Sequence, residues 1–132
     1  AKLLIKSLKT IEADNPKFID QDHSQATYAK IIDKGEAKID WKTDANKVLA
    51  HIHGLSPSPG AWFEFEHERF KVLRASKSST SGNPGVFLDE NLTIACKSDS
   101  IQILEIQRQG KNKQTAKDFL LGKKINKGSI LA

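Results

Sequence analysis

Basic side chains are the residues of this sequence whose type and placement are best suited to chemistry with a partner. The 132 residues include 21 Lys and Arg against 16 Asp and Glu, a formal net charge of +5. Residues 105–132 hold seven basic residues against Glu105 and Asp118 (7 − 2 = +5), whereas residues 1–104 hold 14 of each sign and sum to zero. The seven are Arg108, Lys111, Lys113, Lys117, Lys123, Lys124 and Lys127.

This segregation of charge predicts a polyanionic partner such as nucleic acid. Lysine supplies charge and reach but no base-edge geometry, so we expect contacts to the phosphate backbone that orient RNA without reading its sequence. Lys30, Lys34 and Lys38 are predicted to extend the same surface. From charge alone, a lysine-rich face that only keeps the protein in solution remains an open alternative.

The other candidate groups favour structural roles over catalysis. His51 and His53 lie two residues apart near a predicted helix end, where they would point to different faces, so no metal site is predicted. Cys96 lies in an apolar segment and is predicted to be a buried small side chain; as the single cysteine it excludes an intramolecular disulfide. Three glutamates spaced by two are typical of the wet face of a half-buried strand rather than of an acid–base pair. They are Glu64, Glu66 and Glu68.

The aromatic residues divide in a similar way. Trp62 begins an alternating segment and is predicted to pack in the core, whereas Tyr28, beside Lys30, is the better candidate for exposed stacking on a base. For Trp41, the sequence does not decide between core packing and stacking on a base.

Periodicity along the chain predicts the elements that must position these residues. Residues 2–9 have the spacing of an amphipathic helix, residues 11–22 read as a linker, and residues 24–32 contain good helix formers. Thr43 or Asp44 can cap a helix over residues 45–52 that Gly54 ends. Residues 61–65 and 69–74 predict a hairpin, and residues 85–88, 92–96 and 101–107 a meander. Thr115 can cap a short helix that ends at Gly122, and residues 128–131 predict a final edge strand.

The fold class that follows is mainly β with short helices. Five or six short strands in a chain of this size close most readily into a small oligonucleotide-binding-like β-barrel, which removes exposed strand edges. We expect a helix stub over residues 1–10, a linker over 11–23 and the barrel domain over 24–132. The sequence has no Met and begins with Ala1, which favours a fragment that another domain once preceded. It shows neither a signal peptide nor a membrane-spanning segment.

Five segments in register carry a family resemblance. Four read Gln25-Ala26-Thr27-Tyr28-Ala29-Lys30, Ile39-Asp40-Trp41, Pro59-Gly60-Ala61-Trp62-Phe63 and Leu104-Glu105-Ile106-Gln107-Arg108-Gln109-Gly110-Lys111, and the fifth is the predicted helix over residues 1–8. In this order and spacing they resemble the carboxy-terminal domain of the methionyl-tRNA formyltransferase family. The fifth segment resembles the last helix of that family's catalytic domain.

The resemblance implies a parent protein that transfers a formyl group from 10-formyltetrahydrofolate to the methionine of initiator Met-tRNA in translation initiation. It implies that catalysis belongs to a covalently linked amino-terminal domain, so this chain would have no catalytic residue, cofactor or activity of its own. The partner would be initiator Met-tRNA, positioned by a positively charged face. We expect a cytoplasmic monomer without membrane association. Two alternatives stay open: an equivalent domain of a related folate- or sugar-nucleotide formyl-transfer enzyme, and a non-catalytic protein-interaction barrel.

Overall fold

The computed structural model describes residues 2–131, which divide into two compact units, a first unit up to residue 30 and a second unit from residue 31. The first unit contains helix α1, Lys2–Glu12, followed by a single 3-10 turn at His23–Gln25. The side chain of Asp22 caps that turn by accepting from the backbone N of Ser24 at 2.9 Å. The amphipathic helix predicted over residues 2–9 is thus confirmed and extends to Glu12.

The helix-forming composition of residues 24–32 yields only that 3-10 turn. Ile31 remains 98% exposed, and none of residues 26–33 is helical. A short helix is marginal in water unless tertiary packing buries one of its faces. These side chains bury little surface, so local propensity alone does not produce a helix.

The second unit begins its regular structure with helix α2, Ala45–Leu55, which packs against the sheet. Its buried face is the one that the helical spacing predicted, with Val48 and Ile52 almost fully buried. Asp44 occupies the N-cap position, but its carboxylate accepts a hydrogen bond from Ser98 Oγ at 2.8 Å instead of capping the helix. The cap residue therefore ties α2 to the turn that precedes the last long strand.

Five antiparallel strands form one sheet. They are β1 (Ala61–Phe65), β2 (Glu68–Ser78), β3 (Thr93–Ala95), β4 (Ser100–Arg108) and β5 (Lys113–Thr115). The order is β1-β2-β4-β3, and β5 pairs with the same edge of β4 as β3 does. β3 pairs with residues 100–102 of β4 and β5 with residues 105–107, so the two short strands share one edge.

The sheet curls into a half-barrel. Register shifts between Val72 and Ala75 interrupt the pairing of the long strand β2 with β4, and irregularities of this kind bend a strand and increase its twist. Helix α3, Ala116–Gly122, follows β5 directly, and Thr115 Oγ1 accepts from the backbone N of Asp118 at 3.1 Å. A mainly β, small barrel-like domain with short helices is confirmed, as is the Thr115 cap.

Two details of the predicted strands are wrong. Residues 85–88 and 128–131 form isolated bridges, Val86 with Ile130 and Phe87 with Ile94, instead of strands. β5 was not predicted, because all three of its residues are exposed and show no apolar alternation.

The core lies between α2, the inner face of the sheet and α3. Phe63 stacks on Phe70 with ring centroids 5.6 Å apart, and Phe119 of α3 meets Phe70 edge-on at the same distance. Trp41 and Cys96 are both buried, which confirms the structural role expected of the cysteine. Trp62 is only half-buried, so its predicted core position is correct in part.

Candidate nucleic-acid interface

Three of the predicted RNA-contacting residues meet beside the turn that joins β4 to β5. Arg108 ends β4, Lys111 lies in the turn, and Lys123 follows α3. All three line one cleft of about 320 Å³. The three residues converge because the turn directly follows β4 and α3 then packs against β4.

Two further lysines line an adjoining groove. Lys117 in α3 and Lys124 just after it border an open groove of about 630 Å³. Its floor includes Ile103 and Leu104 of β4, in the part of the strand that neither β3 nor β5 pairs with, and Leu120 of α3. This groove combines apolar residues of β4 and α3 with two lysines and with Glu90.

The last two members of the carboxy-terminal set lie apart from these clefts. Lys113 is exposed on β5. Lys127 acts on Asp89: burial alone would raise the pKa of that carboxyl, but hydrogen bonds from Thr93 and Asn91, and then the charge of Lys127, bring the pKa below its ordinary value. The predicted set is therefore spread along one continuous stretch of chain and not gathered in a single pocket.

Carboxylates from the β1–β2 turn engage Arg108 and Lys123. Lys123 Nζ lies 2.9 Å from Glu66 Oε2 and donates to Glu68 Oε2 at 3.2 Å, and Arg108 donates to Glu68 Oε1. Burial lowers the pKa of Lys123, but the hydrogen bonds and charges of the two glutamates outweigh it and raise the pKa above its ordinary value. Burial raises the pKa of Glu68, and bonds from Lys123 and Arg108 then bring it below 4.5. These two cations are thus already matched by carboxylates.

The remaining lysines of the carboxy-terminal set are not matched in this way. Within residues 2–131, no carboxylate lies within 4.0 Å of their amino groups, and all of them are exposed. We call them the free lysines: Lys111, Lys113, Lys117, Lys124 and Lys127.

Lys30, Lys34 and Lys38, which were predicted to extend the basic surface, lie in different parts of the structure. Lys30 closes the first unit and is exposed, and Lys34 and Lys38 belong to the second. Lys38 Nζ lies 3.9 Å from Glu64 Oε2 and 5.5 Å from the centroid of the Trp62 ring.

Lys34 lines a third cleft with two cations that sequence analysis did not select, Arg69 and Lys71 of β2. Residues 69–74 were predicted only as one strand of a hairpin. Only the register, in which Lys71 lies opposite Trp62, brings the two cations together with Lys34.

The histidines do not assemble into a metal site. His53 Nε2 is 3.1 Å from the carbonyl oxygen of Ala75, while His51 Nε2 is buried without a hydrogen-bond partner in the described part of the chain. Over the same residues no group of three or more potential ligands could hold a metal ion. None of the described helices has the length and apolar character to cross a membrane.

Comparison with known proteins identifies the family of this domain. Residues 31–124 match the family model described as formyl transferase, C-terminal domain. The chain belongs to that family. The resemblance drawn from the sequence motifs is confirmed. The match covers the whole sheet and α3, and it leaves out only the last residues of the second unit, after residue 124.

Two similar relatives of this formyl transferase C-terminal domain carry the same name. A protein named methionyl-tRNA formyltransferase from Bradyrhizobium diazoefficiens is 44% identical over 133 residues, covering 98% of this chain and 43% of the relative. One of the same name from Rhodopseudomonas palustris is 46% identical, covering 92% of this chain and 41% of the relative. The chain thus spans about two-fifths of the length of the curated relatives it matches.

Solved structures support the fold of the domain. HypX from Aquifex aeolicus superposes with a TM-score of 0.75 at 17% identity, over 92% of this chain and 22% of that one. A HypX structure in complex with tetrahydrofolic acid gives a TM-score of 0.72 over 90% of this chain and 22% of that one, at the same identity. At such low identity the likeness establishes the shared architecture only.

Proposed function

We propose that this formyl transferase C-terminal domain holds tRNA by its phosphate backbone on behalf of a linked catalytic domain. The observation that carries the proposal is the group of free lysines along the β4–β5 turn, β5, α3 and the segment that follows α3. These residues are exposed, and among residues 2–131 none of them has a carboxylate within 4.0 Å of its amino group. Phosphate neutralisation requires accessible charge of this kind and no base-reading geometry.

The proposed parent reaction follows from the name of the relatives. A formyl group moves from 10-formyltetrahydrofolate to the α-amino group of methionine on initiator Met-tRNA. The bond between the formyl carbon and N10 of the folate breaks, an amide bond to the amino nitrogen forms, the amine loses a proton and N10 gains one. In this proposal the folate and the catalytic residues belong to the linked domain, and the present domain contributes only binding energy. The setting is cytoplasmic translation initiation.

The first unit fits this arrangement. α1 has an apolar face whose members are exposed, including Leu3 at 77% and Leu4 at 63%. We assign residues 1–10 to the end of the catalytic domain, residues 11–23 to a linker and residues 24–132 to the tRNA-binding domain. An amphipathic helix with no buried residue needs an apolar partner, and a preceding domain would supply one.

Salt dependence of binding provides the test. Each phosphate contact adds roughly 0.7–0.9 to the slope of log affinity against log salt concentration. Replacing Lys111, Lys113 and Lys117 together by Gln should therefore lower the magnitude of the slope by about 2–3. Fluorescence anisotropy of labelled initiator tRNA over a range of salt concentrations measures it.

A charge-matched variant serves as the control. Lys42, Lys47 and Lys97 are exposed and lie outside the three basic clefts, near the start of α2. Their replacement by Gln removes the same charge and should change the slope by less than about 0.5. Equal effects of the two triple variants would mean that net charge, not location, governs binding. Salt-insensitive binding would favour a protein-interaction barrel, and preferential binding of a sugar nucleotide over tRNA would favour the related formyl-transfer enzymes.

A further inference from the structure

The third basic cleft lies on the outer face of β1 and β2, separate from the residues that carry the proposed function. It has a volume of about 310 Å³, and its cations are Lys34, Arg69 and Lys71. The rest of its wall comes from Trp62 and from the segment that joins α2 to β1, around Gly60. No carboxylate lines it among the described residues.

The indole of Trp62 organises two sides of the cleft. The guanidinium carbon of Arg69 lies 3.4 Å from the ring centroid, which is cation–π stacking. On its edge, Trp62 Nε1 donates to the carbonyl oxygen of Lys34 at 3.0 Å, which fixes the backbone of that lysine beside the ring. A guanidinium is planar by resonance, and stacking on the ring holds that plane in one orientation.

Backbone geometry fixes the third cation. Lys71 is the cross-strand neighbour of Trp62, so both side chains project from the same face of the sheet. The stem of Lys71 runs across Gly60, where an added Cβ would come within 2.9 Å of Lys71 Cδ. Gly60 also has a φ of 83°, in the left-handed region that glycine adopts without strain. A glycine at this position therefore leaves room for the lysine stem.

The charge balance of the cleft is strongly positive. Within residues 2–131 none of its three cations has a carboxylate within 4.0 Å. The nearest acidic residue along the sheet is Glu64, opposite Arg69 in register, and Glu64 lies 3.9 Å from Lys38. The Nε of Arg69 is buried and has no hydrogen-bond acceptor in the described chain. Three cations that line one cleft with no described carboxylate within 4.0 Å repel one another, and a bound anion would offset that repulsion.

We infer that the Lys34–Arg69–Lys71 cleft binds a phosphodiester group of an RNA backbone. A guanidinium presents a two-pronged donor that matches phosphate, and the two ammonium groups add point charges from either side. With Arg69 stacked on one face of the ring, the site is built for the backbone and not for intercalating a base. The identity of the polyanion as tRNA rests on the proposed function, whereas the capacity of the cleft for phosphate does not.

The salt slope of tRNA binding tests the RNA contact in the 132-residue chain. The double variant Arg69→Gln, Lys71→Gln should lower the magnitude of the slope by about 1.4–1.8. The control is the double variant Arg74→Gln, Lys77→Gln, which removes the same charge from the same strand but at residues already paired with Glu105 and Asp99. The control should change the slope by less than about 0.5. Arg69→Lys, which keeps the charge, should retain most of the slope while losing the two-pronged contact.

Nuclear magnetic resonance of the two indole N–H groups gives a readout that does not depend on tRNA. Titration with inorganic phosphate should move the Trp62 signal saturably and leave the signal of the buried Trp41 in place. In the Arg69→Gln, Lys71→Gln variant, an unchanged Trp41 signal shows that the domain is folded, and the Trp62 signal should no longer respond.

The outcomes separate this inference from the proposed function. If the Lys111, Lys113 and Lys117 triple variant lowers the slope and the cleft variant does not, the cleft inference is overturned and the proposed function stands. If the unaltered chain shows no salt-dependent tRNA binding, the proposed function fails and the RNA assignment of the cleft fails with it. A silent Trp62 signal in the phosphate titration overturns the anion site itself.

Discussion

Lys123 and Lys111 line the same cleft and carry the same formal charge, yet we expect them to behave as opposites on substitution. Lys123 is 21% exposed at its side chain and bound to Glu66 and Glu68, whereas Lys111 is exposed and without a described carboxylate partner. A lysine already engaged by two carboxylates has little charge left to offer a phosphate. We therefore expect Lys123 to contribute to stability and Lys111 to contribute to binding.

The magnitudes follow from the contacts. The ammonium of Lys123 lies 5.4 Å from the ring centroid of Phe70 and 5.6 Å from that of Phe65, contacts worth about 0.5–1 kcal/mol. Lys123→Met keeps the apolar stem and removes the charge, so it should lower the free energy of unfolding by at least that amount. The same variant should change the salt slope by less than about 0.3, whereas Lys111→Gln should change it by roughly 0.7–0.9 and leave stability within about 0.5 kcal/mol.

Two measurements on each variant decide the matter: urea denaturation followed by circular dichroism, and tRNA anisotropy titrated against salt. Lys97→Gln, at an exposed lysine between β3 and β4, should move neither quantity. The reasoning is refuted if Lys123→Met flattens the salt slope as much as Lys111→Gln does. That result would mean that Glu66 and Glu68 release Lys123 to the RNA at no measurable cost.

Three further predictions concern the core, the thiol of Cys96 and the dependence of stability on acidic pH. Phe119→Ala should lower the free energy of unfolding, measured by urea denaturation, by about 3–5 kcal/mol. Leu121→Ala in the same helix should change it by under about 0.5 kcal/mol, because Leu121 is 83% exposed. Burial, aided by nearby carboxylates, raises the pKa of Cys96 to about 11, so roughly 0.1% is thiolate at pH 8 and a disulfide reagent should react rapidly only after unfolding. The pKa of the Glu68 carboxyl is lowered from 4.5 in the folded protein, so the stabilisation by the ionised carboxylate is present above pH 4.5 and is lost as the pH falls through the folded-state pKa. Glu68→Gln should therefore flatten the acidic part of the curve of unfolding free energy against pH. Parallel curves for the two proteins would contradict this prediction.

Local patterns were sufficient to predict the elements whose side chains alternate between water and the core. The hairpin β1–β2 and the buried face of α2 follow from apolar spacing, and the cap of α3 follows from Thr115 at its start. β5 escaped prediction because its residues Lys113–Thr115 are exposed on both sides of the strand. β5 forms because β4 extends beyond β3 and leaves an unpaired edge to which β5 can bond. This cause lies in the tertiary structure and is not encoded in a three-residue segment.

The candidate interface could be predicted as a charge but not as a set of contacts. The surplus of basic residues after residue 104 is visible in the sequence, and the free lysines come from it. That Lys123 and Arg108 both bind Glu68, 55 and 40 positions away from them, becomes visible only once β1, β2 and β4 lie side by side. Arg69 and Lys71 were overlooked for a related reason, since their importance depends on strand register and on the carbonyl of Lys34.

Thr115 is both the last residue of β5 and the cap of α3, with its hydroxyl bonded to the backbone and side chain of Asp118. Strand and helix consequently share one residue as a joint, and the strand is itself hydrogen-bonded to β4. Lys113 and Lys117 are therefore carried by a scaffold of strand and helix joined by hydrogen bonds, and Lys111 by the turn that leads into that strand. Association has less conformational entropy to lose in such a scaffold, so a modest number of phosphate contacts can yield useful affinity.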